Sequence, residues 1–488
     1  MRSTYIRLFR KALAILLKKG PVTFTKAVLR TLYARRTILS FLFGTVLPTM
    51  GKTLLHKGPG GCVQYSVLLF KKLKYHRAYK QKEAEYAGSE VNLVLVRPNS
   101  ANTRPEDEDI LHFSVLFVTS IDVQPSKRYR VDNVCEQLNK RGIKTSTLYE
   151  VDIFERFGEA LTFDVIVFQR LPIDPGVRYL LEEACARGIA LVFEIDDYVF
   201  DASVYLAQDS VKNASPTYRH YMEAHCNHLY QTMMACQYFI STTRTLAEAA
   251  RRRERISYVI RNGVNDRQVA LADQSLRRKA QRRRDAWVRI GYQPGTSTHR
   301  LDFAVALPAL RKILDEFPQV KLVIQGRLDL PEVLWPYRRR IERWPYVSWQ
   351  KLVGITGRLD IAIAPLEPDN LLNEAKSALK YFEPGLVEVP VVASPTEDFR
   401  RAIQSGVNGF LAANDEEWYE SLRSLVSVPV FRQQVAQAAR EDVLAHYTSA
   451  AQSTDTLAVF QDILRDHRSL AGVRRMVHQP TYFTFSPR

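Results

Sequence analysis

The first 82 residues contain no aspartate and no glutamate; Glu83 is the first acid. The same stretch holds 18 Lys and Arg, while the remaining 51 basic and 52 acidic residues nearly cancel. The net charge of +17 therefore belongs to the amino-terminal segment and not to the protein at large. Cysteine is also scarce: Cys62, Cys135, Cys185, Cys226 and Cys236 include no Cys-x-x-Cys pair, and no His stands at metal-ligand spacing. That argues against a disulfide scaffold and a zinc site, and for reduced thiols in a cytosolic setting. Long apolar runs are missing too. Ile38 to Met50 is about 13 residues, against the roughly 20 needed to span a bilayer. The Leu13 to Leu17 block is short and runs straight into Lys18-Lys19, which argues against a cleaved signal peptide.

What the amino-terminal segment does have is amphipathicity. Ile6, Phe9, Leu13, Leu16 and Leu17 recur at helical spacing among Arg2, Arg7, Arg10, Lys11, Lys18 and Lys19. Such helices favour anionic lipid surfaces, each surface-near Lys or Arg adding ~1 kcal/mol. Residues 1–95 are expected to attach peripherally to an anionic membrane surface, on the inner face of the cytoplasmic membrane of an otherwise cytoplasmic protein. An organellar transit peptide and a linker from a larger ancestor fit the same composition. A nucleic-acid partner is not expected, because no recognition motif accompanies the charge.

A length of 488 residues and 46% hydrophobic content imply two or three globular domains. Residues 96–110 are a polar, Pro-containing linker. Buried-type strands then begin at Phe113–Thr119 and recur at Phe163–Phe168, Ile189–Glu194 and Tyr238–Ser241. Helices lie between them, with Gly142 and Gly188 as stops. Strand and helix alternating at this pace make a doubly wound α/β domain over 111–265. Asn262-Gly263 is read as a turn tolerating positive φ. Residues 266–285 are a charged helical connector. A second α/β domain over 286–455 has strands at Val288–Ile290, Val320–Gly326 and Leu359–Leu366, and an aromatic, basic surface helix at 335–349. Residues 456–488 are expected to form a tail.

The most informative stretch runs from Asn373 to Pro395. Leu379, Phe382 and Leu386 mark one helix face; Lys376, Lys380 and Glu383 share another; Val389–Ser394 is a strand of the kind buried in parallel sheets. Charges at the start of a helix that follows a strand's carboxyl end stand where open α/β sheets bind ligands. Trp287 to Phe303 is a strand, a small-residue loop and a helix start, an arrangement that binds anions.

These two strings resemble the nucleotide-sugar region of retaining GT-B glycosyltransferases of the family-4 type (glycosyl transferases group 1), in a subgroup like those of bacterial envelope polysaccharides. The family's paired Glu residues precede a Gly-x-Pro-Val-Val-Ala-Ser strand. Glu383 matches the second, which implies a role in holding the nucleotide ribose. The first would fall at Ala375, with Glu374 one residue early. Asn-x-x-Lys-Ser-x-x-Lys-Tyr-x-Glu and Gly-Tyr-x-x-Gly-Thr-x-Thr-His-x-x-Asp-Phe carry the subgroup likeness. Tyr292 stands where the wider family has Arg. The resemblance implies two Rossmann-like domains facing across a cleft. Thr296, Thr298, His299, Arg300, Lys376, Ser377 and Glu383 would bind the donor. Lys127, Arg128 and Arg130 would face the acceptor. Asp196, Asp197 and Lys380 would carry catalysis, the two aspartates as acceptor-binding or base-like groups and Lys380 against the leaving diphosphate. No metal and no cofactor is implied beyond the nucleotide-diphosphate sugar itself.

The expected function is retaining hexosyl transfer from that donor to a lipid-linked or polysaccharide acceptor, a glycan or glycolipid. A catalytically degenerate module acting as a membrane-associated scaffold, and a sugar-nucleotide epimerase of the same fold, are the alternatives.

Overall fold

The structure is a computed structural model. It describes residues 110–474 except 122–123, 282–284 and 295–299, together with 71, 72, 75 and 78. The chain divides into two units, Met1–Lys80 and Gln81–Arg488, and both sheets belong to the second. The expectations for residues 1–95, the loop residues Thr296, Thr298 and His299, and the last fourteen residues lie outside the described residues.

The first domain is a six-stranded parallel sheet in the order β2-β1-β3-β4-β5-β6. Its strands are β1 (Ser114–Thr119), β2 (Lys144–Tyr149), β3 (Val165–Gln169), β4 (Ala190–Ile195), β5 (Tyr238–Ser241) and β6 (Ile256–Val259). Every residue of β3, β4 and β5 is buried, as expected of strands covered on both faces. Helix α1 begins at Gln124–Lys127, widens into a π-helical turn at Arg128–Asp132 and continues as Asn133–Asn139. It is followed by α2 (Pro175–Ala186), α3 (Ala202–Leu206), α4 (Pro216–Ala235) and α5 (Arg244–Arg251). Gly142 and Gly188 follow their helices with φ of +77° and +72°, confirming them as stops.

The connector is α6 (Asp266–Gln281). The second domain is a parallel sheet in the order β12-β11-β10-β7-β8-β9. It comprises β7 (Val288–Tyr292), β8 (Val320–Gln325), β9 (Ile341–Trp344), β10 (Ile361–Ala364), β11 (Val391–Ala393) and β12 (Phe410–Leu411). Its helices include α7 (Arg300–Glu316), α8 (Leu371–Glu374), α9 (Leu379–Leu386), α10 (Glu397–Ala402), α11 (Asp415–Ser427) and α12 (Pro429–His446), with a further helix at Trp349–Thr356. The fold is thus the expected GT-B class of two doubly wound domains. In each sheet the strand order reverses beside the first strand, between β1 and β3 and between β7 and β10, and the carboxyl ends at such a reversal are where these sheets bind ligands.

Three local expectations change. Residues 335–349 are not one helix: a 3-10 segment at Glu332–Arg340 gives way to the edge strand β9, because Pro336 and Pro345 interrupt any longer helix. The expected tail from 456 is, up to Arg474, part of the long helix α13 (Ser449–Arg474). It returns to the first domain, where Phe460, Ile463 and Leu464 join the core of Val115, Phe117 and Tyr238. Finally, Gly263 does not have positive φ. Its glycine is required sterically, because a Cβ there would overlap the carbonyl oxygen of Tyr447 and the side chain of Gln452. At this point the chain passes between the domains twice, and the passes are bonded together: Val264 N–H donates to Tyr447 O (2.7 Å) and Ser449 N–H to Val264 O (3.0 Å).

Gly263→Ala is therefore expected to destabilise the protein by about 2–3 kcal/mol, since backbone on one side cannot move aside. Gly158→Ala, whose added methyl meets nothing within 4 Å, is the control. Urea midpoints of the two variants check this; similar midpoints would sink the steric account.

Candidate functional site

At the second domain's strand reversal, the end of β10 leads through Pro365–Asn370 into α8 and α9. Asn370 caps α8 by accepting from Leu372 N–H (3.1 Å). Asp302, buried in the first turn of α7, ties this segment down. Its Oδ1 accepts from Asn373 Nδ2 (3.0 Å) and from Glu367 N–H (3.0 Å), and its Oδ2 lies 3.4 Å from Lys376 Nζ. Lys376 also donates to Asn373 Oδ1 (2.6 Å).

The single helix expected to carry Lys376, Lys380 and Glu383 on one face is broken. Residues Ala375–Ala378 separate α8 from α9, so only Lys380 and Glu383 are helical. The reason is tertiary. Ala378 N–H donates to Asp398 Oδ2 (2.7 Å), Thr243 Oγ1 donates to Ala375 O (3.1 Å) and Thr245 Oγ1 to Glu374 O (3.3 Å). Ser377 Oγ accepts from Asn262 Nδ2 (2.9 Å). Glu374 turns toward α10, where its Oε2 accepts from Glu397 N–H (2.9 Å).

Lys380 is the least compensated charge here. Its ammonium is buried and has no hydrogen-bond partner among the described residues. It lies 5.2 Å from the ring centroid of Tyr292, so that ring forms the floor beneath the Lys. Burial, helped by the nearby Lys376 charge, lowers its pKa to about 8. Arg300 is exposed at the start of α7.

Glu383 faces the first domain. Tyr129 O–H donates to its Oε1, with Arg128 Nη2 at 3.5 Å and Gln268 Nε2 at 3.4 Å. Tyr129 is packed into the second domain's core beside Tyr381 and Phe382. Burial first, and then Glu383, raises its pKa well above the usual phenol range. Arg128 stacks on the Tyr129 ring (4.0 Å) and on Trp349 (4.9 Å). Of the three basic residues expected to face an acceptor, Arg128 thus reaches the Glu383 carboxylate of the second domain, and Lys127 pairs with Asp132 on its own helix. Arg130 is buried: its Nε donates to Glu194 Oε1 (2.6 Å) and its Nη1 to Asn262 Oδ1 (3.0 Å). Burial, opposed by Arg130, raises the Glu194 pKa to about 7.

The two aspartates share a partner. Arg170 Nη1 lies 3.3 Å from Asp196 Oδ1, and its Nη2 lies 3.5 Å from Asp197 Oδ2. Because β4 ends at Ile195, strand alternation does not separate the aspartates. Arg170 went unnoticed in sequence. It follows β3 at φ +48°, a backbone conformation uncommon outside glycine and suggestive of function at a sheet's carboxyl edge. Its signal was a polar Gln169-Arg170 pair ending an otherwise apolar strand. Arg130 Nη2, Glu194 Oε2, Thr396 Oγ1 and Glu397 Oε2 join Lys380 Nζ as buried atoms without a hydrogen-bond partner. Such a concentration of unsatisfied polar atoms at strand ends suits a polar ligand.

Residues 307–458 match the model of a family described as glycosyl transferase-like. No curated protein matches the chain. Among solved structures the chain is similar to HepE of Anabaena in complex with UDP (11% identity, TM-score 0.49, 72% of this chain and 100% of that one). It is also similar to sucrose-phosphate synthase of Thermosynechococcus elongatus (12% identity, TM-score 0.49, 74% and 100%) and to TarM of S. aureus in complex with UDP (13% identity, TM-score 0.42, 62% and 55%). Among the described residues no helix is long and apolar enough to cross a membrane.

Arg130→Met should lower stability by about 3–5 kcal/mol by leaving Glu194 buried without its cation. The deficit should be larger at pH 8 than at pH 6, because protonation relieves the stranded carboxylate. Denaturant titrations at both pH values check this, and a variant as stable as wild type would return Arg130 to an acceptor role.

Proposed function

We propose that the protein is a glycosyltransferase. The second domain binds a nucleotide-diphosphate sugar, and the first holds a lipid-linked or polysaccharide acceptor near Asp196 and Asp197. The observation that carries the reading is the buried Lys380 ammonium without a hydrogen-bond partner, at the strand reversal and beside Lys376. An isolated buried cation is costly, and a diphosphate placed there would offset that cost. As the sugar–phosphate bond breaks, negative charge grows on the leaving diphosphate, and Lys380 stabilises it electrostatically with Lys376 behind it. Ser377, Arg300 and the loop residues Thr296, Thr298 and His299 complete the donor site, and Glu383 holds the ribose. Tyr129 and Arg128 contact the same carboxylate, so ribose hydroxyls would share it or compete for it. We assign the reaction to the retaining class, with the acceptor hydroxyl entering on the face the diphosphate leaves and Asp196, Asp197 and Arg170 orienting it. No enzyme nucleophile is needed on that route. Residues 1–95 would bring the enzyme to an anionic membrane surface, on the cytoplasmic side.

Thermal shift with UDP-, GDP- and ADP-sugars tests the reading. One nucleotide class should stabilise wild type, by ~2.7 kcal/mol at a hundredfold Kd, and Lys380→Met and Glu383→Ala should abolish the shift. No shift with any donor would favour the scaffold alternative.

Lys380 also sets a pH dependence. Donor affinity should be flat below about pH 7 and fall by up to about tenfold per unit as pH rises past 8, where the free lysine loses its proton. Lys380→Met should remove that slope. Because the folded pKa lies below the unfolded one, wild type carries a burial penalty that is full below about pH 8 and fades toward 10.5. Lys380→Met without ligand should therefore be about 3 kcal/mol more stable than wild type at pH 7, by less at pH 9. Calorimetric titration and melting across pH read both effects; a pH-independent affinity in wild type would remove Lys380 from the donor site.

A further inference from the structure

We propose that the amino-terminal half of α4 is a subsite for a neutral glycan chain, leading outward from the Arg170–Asp196–Asp197 cluster. The proposal rests on the glycosyltransferase reading and narrows the acceptor to one recognised through sugar units.

The buried residues of α4, Cys226, Leu229, Thr232, Met233 and Ala235, all lie in its carboxyl half. Its first turns stand out from the domain, starting from Pro216 with Ser215 as cap (Tyr218 N–H to Ser215 Oγ, 3.3 Å). There Tyr218 is 44% and Tyr221 63% exposed. With His225 they fall at i, i+3 and i+7, one face of the helix. The Tyr221 and His225 rings are 6.2 Å apart with planes only 13° from parallel.

The inner end of this segment meets the carboxylate cluster. His228 O accepts from Ile173 N–H (3.0 Å), three residues past Arg170. Arg170 is close enough that its charge, after burial, holds the His225 pKa down. At the outer end Tyr218 meets Tyr205 of α3, which also feels Asp197, and α3 packs against α8 of the second domain. Helix α4 also packs against β4, whose end at Ile195 leads directly into Asp196 and Asp197, so the helix that carries the aromatic face and the two aspartates are neighbours in the fold.

The chemistry selects the occupant. A tyrosine ring has an apolar face and a polar edge, and a pyranose has the same division between its C–H face and its hydroxyl rim. Asp196 and Asp197 accept from hydroxyls and Arg170 donates to them. His225, kept neutral near pH 7, adds a ring without adding charge. A lipid-docking face would instead combine large aliphatic side chains with unpaired cations. Arg170, the cation at the inner end, is paired with the aspartates, and the exposed Arg219 lies one residue, about 100° around the helix, from Tyr218 and off the Tyr218–Tyr221–His225 face.

The test is saturation-transfer NMR on the full chain, with a panel of neutral di- to tetrasaccharides of defined linkage. At least one should bind wild type. Tyr221→Ala should weaken it by about tenfold, Tyr221→Trp should retain it, and the donor-induced thermal shift should be unchanged in both. Equal oligosaccharide binding by Tyr221→Ala overturns the subsite. So does the absence of signal from every oligosaccharide, or Tyr221-dependent capture by phosphatidylglycerol vesicles without oligosaccharide binding. Oligosaccharide binding that depends on Tyr221 but no shift from any nucleotide sugar would leave the subsite standing and overturn the donor reading.

Discussion

The backbone between Glu374 and Ala378 leaves one helix and enters another, and a buried main chain must find partners for its polar groups. It finds them on both sides. Thr243 and Thr245 of the first domain supply hydroxyls to the carbonyls of Ala375 and Glu374, and Asp398 of the second accepts the N–H of Ala378. Asn262 reaches Ser377 while its side-chain carbonyl accepts from Arg130. The loop that positions Lys380 therefore has its shape only when the two domains are together. Arg130, remote from that loop in sequence, supports it through Asn262 and the buried carboxylate of Glu194.

This dependence explains which parts of the chain could be read from sequence. Strands buried on both faces are short apolar runs, so β1, β3, β4, β5, β8 and β10 are legible at once. Edge strand β2, with its half-buried Lys-Thr-Ser-Thr, carries no such run. Helix α4 was missed for a related reason: its outer half buries nothing, so no apolar period announces it. The helix that carries Lys380 and Glu383 was legible from its apolar spacing. The break before them was not, because residues more than a hundred positions away impose it. Arg130 was misplaced because a basic residue at a helix start is ordinarily solvated, and only the fold places Glu194 beneath it. Arg170 shows itself through a backbone angle that sequence does not state.

The site sacrifices stability in a consistent way. Lys380 is desolvated without a hydrogen-bond partner among the described residues, Arg170 sits in a left-handed conformation, and burial raises the Glu194 pKa to about 7 despite Arg130. Each runs against the local rule for a stable core, and all three stand at the carboxyl ends of strands. Violations gathered in one place while both cores pack normally are what a functional site leaves behind. Tyr129 is the exception that fits: its ring belongs to the second domain's core, and its hydroxyl is committed to Glu383.

Among the described residues the two domains are joined covalently at one bridge, where Val264 and Tyr447–Ser449 run side by side. Beyond that bridge they meet where the Tyr129 ring packs into the second domain's core and Arg128 stacks on Trp349, and through separate hydrogen bonds and ion pairs: Tyr129 and Arg128 on Glu383, Arg261 on Asp398 at 3.5 Å, and the threonines on the Glu374–Ala378 loop. Contacts of this kind contribute about 1 kcal/mol each. A ligand's differential affinity for the closed and open pair is easily of that size, and it can move an equilibrium by no more than that difference. Tyr129 and Arg128 on Glu383 are contacts of this size, so a ligand that competed for that carboxylate would shift the balance between the domains. Gly263 keeps the bridge tight, which is why its missing side chain matters to the pair of domains and not only to the turn it occupies.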